Sequence, residues 1–289
     1  MENTMGTELQ TLDNELDNIV TAFDSNDEAA IMELTGQADT TASSNKNSLS
    51  RLAINYQEET DDGEPLKKGT WRIWDGTSNV YADKVYIRAL MRTFSWSIWD
   101  QEEKEFSSQS VERVKLQGDF PDSTGGNKCG RLSKQEEELL SQDDPRLLLS
   151  KSVNCNQVIY GTIDIPEATR PDGSTAKVEN MPFKAFFKRS GFIPVRNFID
   201  QELTRKKKML MPKAYIELTT EKQKSGGVIY WTPKLSLVKE VSITDGDKEL
   251  IKAFADTVKG YNEQIMSDHR ESLKSSMSES DVDLSQRFA

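Results

Sequence analysis

The sequence predicts a β-rich α+β chain, with a β-barrel core flanked by helices and flexible acidic segments at its ends. Three observations carry this expectation. β-Branched and aromatic residues dominate the region 70–100 and alternate there with a period of two. Apolar residues at spacings of three and four mark helices chiefly near the two ends. The net charge of −11 is unevenly spread: residues 1–50 hold one Lys against ten Asp/Glu, whereas Met181 to Lys239 hold thirteen Lys/Arg against four acids.

Leu9, Leu12, Leu16, Ile19, Val20 and Phe23 recur at helical spacing, and the polar run Thr40 to Ser48 follows them. Residues 1–48 therefore read as an acidic helix and linker. The β-rich, nucleic-acid-binding core is expected over 49–242. It opens with LAINY at Leu52, and its strand-like stretch 70–100 sets Arg92, Phe94, Trp96 and Ile98 on one side. Residues 101–150 are acidic and read as an insertion or cap, with a helix near Lys134 to Leu140. Asn154 to Ile165 and Pro182 to Lys188 read as strands around a turn at Pro171-Asp172-Gly173. Val195 to Met209 has helical spacing. Lys213 to Thr219 and Val228 to Thr232 form a hairpin through Ser225-Gly226-Gly227. A C-terminal helix over 243–274, capped by Thr244 or Asp245, leads into a disordered polar and acidic tail at 275–289.

Several functional classes find no support. No apolar run approaches the roughly 20 residues of a membrane span, and the first residues lack the order of a signal peptide, so a cytoplasmic location is expected. Cys129 and Cys155 are too few for a disulfide framework, and with His269 as the single histidine they complete no zinc set. Both cysteines are expected to be reduced and structural, with no cofactor or metal. No Ser-His-Asp arrangement or Walker-type loop occurs, and His269 is expected at the surface, so the chain reads as a non-enzyme. The Gly125 to Arg131 stretch offers amides to a phosphate, but a tight turn explains it better.

Cations interleaved with aromatic faces are the chemistry that grips single-stranded nucleic acid, with phosphates tracked by charge and bases stacked on rings. The residues expected to do so are Trp71, Arg72, Arg92, Phe94, Trp96, Lys184, Phe187, Lys188, Arg189 and Arg196. The tetrad Arg205, Lys206, Lys207 and Lys208 joins them. About half of the aromatics are expected to be core, and alternation alone does not say which.

The segments LAINY, GTWRIW, VYADKVYIRALMRTFSWSIWD, PFKAFFKRSGFIPVRNFI and KAYIELTTEKQKSGGVIYWTPKL, over roughly 51–240, together resemble the single-stranded DNA-binding proteins of tailed phages. That resemblance is one of pattern. It implies an oligonucleotide/oligosaccharide-binding (OB-like) barrel, sequence-nonspecific binding in phage DNA replication or recombination, and a location in the host cytoplasm. It also implies an acidic tail that recruits replication proteins, a part for Asp281, Asp283 and Phe288. Arg287 and the penultimate place of Phe288 depart from that pattern. The acidic ends are expected to compete for the basic surface when it is empty. A virion structural or assembly protein is the alternative, and the helices leave room for a homo-oligomer in either case.

Overall fold

The computed structural model describes residues 49–60 and 62–287, with side chains through residue 275. Nine strands form one sheet: β1 (Ser50–Ile54), β2 (Trp71–Trp74), β3 (Asn79–Ala82), β4 (Lys84–Trp99), β5 (Phe106–Gln109), β6 (Asn154–Thr169), β7 (Thr175–Lys188), β8 (Ala214–Ser225) and β9 (Val228–Glu240). The described residues also contain four α-helices: α1 (Lys134–Glu138), α2 (Pro145–Ser152), α3 (Phe192–Asn197) and α4 (Asp245–Arg287). A π-helical segment, Phe198–Lys206, continues α3.

Five strands close on themselves. β1 pairs with β2, β2 with β3, β3 with β6 at Tyr81 and Thr169, β6 with β7, and β7 returns to β1 in parallel. Closure removes the unpaired edges that an open sheet leaves. β4 runs along β6 and carries the sheet outward through β8 to β9, while β5 pairs with its far end.

Alternation along the closed strands decides what lies inside. Leu52, Trp71, Ile73, Val80, Ile159, Ile163, Phe183, Ala185 and Phe187 share the main core, and Val195, Phe198, Ile199 and Leu203 from α3 and the π-helical segment join it. A β-bulge between Ala89 and Met91 faces Gly161 on β6. A Cβ at Gly161 would lie 1.9 Å from the Arg88 carbonyl oxygen, so only glycine allows the two backbones to approach there.

The short helices follow their local chemistry. Ser133 accepts from the Glu136 amide and Glu136 reaches back to the Ser133 amide, a reciprocal cap that starts α1. Asp144 caps α2, with Pro145 in the first turn where a missing N–H costs nothing. Thr244 and Asp247 cap α4 in the same reciprocal way. Ile251, Phe254, Ala255 and Val258 of α4 then pack on Leu90, Met91, Val158 and Tyr160 of the sheet.

Polar contacts fix α4 along its length. Asp247 takes Arg88 with both oxygens, at 2.7 and 2.8 Å. The Asn262 amide exchanges two hydrogen bonds with the Glu112 backbone, at 2.7 and 2.9 Å. His269 is buried, its Nδ1 2.8 Å from the Asp122 carbonyl oxygen. Its expected surface position is thus corrected: the helix reaches far enough to press the ring onto the loop after β5.

The expected tail is also revised, because α4 continues through Arg287. No Gly or Pro follows Gly260, and extending an established helix is far easier than starting one. Asp281 and Asp283 fall on that helix, while Phe288 and the acidic segment 1–48 lie outside the described residues. Among the described residues no helix is long and apolar enough to cross a membrane.

Candidate functional site

The outer face of β1, β7, β6 and β4 forms the floor of a groove of about 430 Å³, walled by β5 and by Thr257 and Tyr261 of α4. Register places its residues in rows. Arg51, Lys184 and Tyr160 lie side by side across three strands, and Lys188 and Asn156 form a second row that reaches Ser95. Phe186 sits between the rows, with the Arg51 guanidinium 5.0 Å and the Lys184 ammonium 5.8 Å from its ring centre. Trp74, 48% exposed, and Phe106, 36% exposed, complete the aromatic lining.

The cations of this groove are not held in direct ion pairs. Arg51, Lys184 and Lys188 make no ion pair with any described residue. Arg51 has its pKa lowered by partial burial and by the like charge of Arg72. Lys188 is lowered by burial and by Arg51 and Arg189. Glu112 on the floor offsets Lys184 in part, but three cations stand against this one carboxyl, and an incoming anion relieves the repulsion that remains. A larger cavity of about 1130 Å³ beside β3 and β6 lacks this character. There Lys67 pairs with Asp83, Lys84 with Glu217, Arg170 with Asp75 and Lys177 with Glu179.

Glu112 lies on the groove floor with 5% exposure. Thr93 and Tyr160 both donate to its Oε2, at 2.5 and 3.0 Å, and Oε1 accepts no hydrogen bond among the described residues. Burial pushes this carboxyl upward in pKa, against the two hydrogen bonds and the nearby charge of Lys184.

The groove gathers some of the expected residues and excludes others. Lys184, Lys188 and Trp96 line it, and Arg72 lies close enough to Arg51 to perturb it. Trp71 is 1% exposed, and Phe94 and Phe187 are 5% exposed, so these three rings are core and cannot stack on a ligand. Trp71 and Phe187 stand next to a cation in sequence, and adjacent residues of a strand face opposite ways. Phe94 does share the face of Arg92, its ring centre 5.4 Å from the guanidinium, but packs there against Val111 and Phe120. Arg92 and Arg196 share one partner, Asp200, at 2.8 and 3.5 Å, and neither lines the groove. Arg189 donates to Asn154 outside the groove. Arg205, Lys206, Lys207 and Lys208 are exposed at the end of the π-helical segment and do not line the groove, and Lys206 pairs with Glu202.

Among the lining residues that sequence reasoning missed are Arg51, Trp74, Phe106, Glu112, Asn156, Tyr160 and Phe186. Two had a readable signal: Trp74 follows Arg72 by two positions, and Phe186 stands midway between Lys184 and Lys188.

The glycine-rich loop holds no empty anion cradle. The Asp122 carboxylate already accepts from the amides of Thr124, Gly126 and Cys129 at 2.8 to 3.1 Å. Cys129 and Cys155 are free, with burial pushing each thiol up to about 12. Among the described residues no group of three or more His, Cys, Asp or Glu could hold a metal ion.

Comparison with protein-family models, curated proteins and solved structures finds no match.

Proposed function

We propose that the chain binds single-stranded DNA in this groove, without catalysis and without strict sequence demand. The observation that carries the reading is the cluster of Arg51, Lys184 and Lys188, none in a direct ion pair among the described residues, with the first two over the Phe186 ring and Trp74 in the same groove. Phosphates would run along the cations while bases stack on the rings, each stack contributing about 1–3 kcal/mol. Five-strand closure supports an OB-like core, a scaffold suited to oligonucleotides. The order of segments in the sequence supports a phage replication or recombination setting, with replication proteins as partners of the acidic ends.

The test is titration of the full chain with a labelled oligothymidine across a salt series. Binding should weaken linearly with the logarithm of salt concentration and quench tryptophan fluorescence through Trp74. Absence of binding at about 50 mM salt refutes the proposal.

One observation favours a second reading, an assembly role. Among the described residues β9 pairs with β8 alone, and Val228, Ile229 and Val238 are exposed along it. A strand edge of this kind can accept another chain, although Pro233 and the lysines at 234 and 239 oppose continuous pairing. Concentration-dependent oligomers without any DNA binding would select this alternative.

A further inference from the structure

The groove has a feature that phosphate tracking does not use: a carboxyl at its floor. We infer that Glu112 reads a base, so that the groove prefers bases bearing an exocyclic amino group, cytosine over thymine among the pyrimidines. This rests on the single-stranded DNA reading above.

A carboxylate repels phosphate, so the backbone belongs with Arg51, Lys184 and Lys188, leaving the floor to a base. Glu112 is more than nine-tenths buried, and its position is fixed from both sides. Asn262 holds its backbone amide and carbonyl, while Thr93 and Tyr160 occupy Oε2. Oε1 has no donor among the described residues and is open to the groove, where a ligand N–H can take the place of water.

The four bases differ in what they bring. Cytosine presents two hydrogens on N4, and adenine and guanine carry comparable amino groups. Thymine presents the O4 carbonyl at the corresponding place, and its single N3–H lies between two carbonyl oxygens that a carboxylate repels. Asn156 on the same floor does not reverse this preference, because its amide nitrogen already donates to Ser97 at 2.9 Å and to Ser95 at 3.5 Å. Stacking on Trp74 or Phe186 is open to every base, so the preference sits on top of general binding.

The experiment compares labelled ten-residue oligodeoxycytidine and oligothymidine on the full chain at pH 8, which favours the ionised acceptor. The two pyrimidines are matched in size. Wild type should bind the cytosine oligomer about tenfold more tightly, the scale of one hydrogen bond to a charged group. Glu112→Gln should bring the two within about twofold, since its amide can donate to thymine O4 as well.

A ligand-side control does not depend on the variant folding. Wild type should bind an oligomer of N4,N4-dimethylcytosine, which has no N–H there, no better than oligothymidine. Equal wild-type affinity for the two pyrimidines overturns the inference while leaving single-stranded DNA binding intact. So does a preference that survives dimethylation or Glu112→Gln. Failure to bind any oligomer overturns the parent reading and this one together.

Discussion

Replacing Arg51, Lys184 and Lys188 together by Gln separates a ligand-binding cluster from a structural one. None of the three is ion-paired within the described residues, and two carry pKa values lowered by burial and by like-charged neighbours. If each meets one phosphate of a single strand, each contributes about 0.7 to the slope of log affinity against log salt. Losing all three lowers that slope by about 2, so between about 50 and 200 mM salt the variant should lose affinity by a factor about twentyfold smaller than wild type does. Fluorescence anisotropy with a labelled oligothymidine measures both slopes. Thermal unfolding supplies the control: no direct ion pair among the described residues is broken, and relief of mutual repulsion offsets the lost attraction of Lys184 for Glu112, so the midpoint should hold. A slope unchanged within about 0.5, or a variant that binds weakly only because it has unfolded, refutes the assignment of these cations to phosphate.

Three further outcomes follow from the fold and the charge pattern. Arg88→Met should destabilise by about 3 kcal/mol in urea unfolding, because it leaves Asp247, 6% exposed at its side chain, without its counter-charge. Burial alone would raise the Asp247 pKa, but hydrogen bonds from Arg88 and Thr244 outweigh it and hold the carboxyl below its ordinary value. That stability is present above about pH 4 and is lost as pH falls through the lowered pKa, so the variant should show a shallower acid limb than wild type. Gly161→Ala should cost about 1–3 kcal/mol or more by forcing β6 away from the Arg88 carbonyl, read as a lowered urea midpoint. Deleting residues 1–45, which hold ten acids and no Lys or Arg, should tighten oligonucleotide binding at low salt. An unchanged affinity would remove the acidic segment from any competition for the groove.

The sheet was largely legible in the sequence, and the groove only partly. β6, β7 and the β8–β9 hairpin lie where β-branched runs and turn residues put them, although each strand extends beyond the segment that the pattern marked. Alternation separates the two faces of a strand but does not say which is inside. Trp71 and Phe187 were therefore open to misplacement, until closure of the barrel turned their faces inward. Glu112 had no local signature at all. Its burial depends on Thr93, Tyr160 and Asn262, which come from three distant elements. Arg51 was passed over for a related reason: its neighbours on the face, Lys184 and Tyr160, are brought to it by pairings remote in sequence.

The parallel join of β1 to β7 has a kinetic consequence. During synthesis β1 emerges before β7 and meets β2 first, but its other edge waits, because its parallel partner ends only at Lys188. Long-range pairing of this kind is slow, since the entropy of closing a long loop is lost before any contact compensates for it. Arg51 therefore meets Lys184 and Phe186 only in the step that also seals the barrel. A chain arrested before that step has neither a closed core nor the assembled groove, and the appearance of DNA binding during refolding should coincide with burial of Trp71.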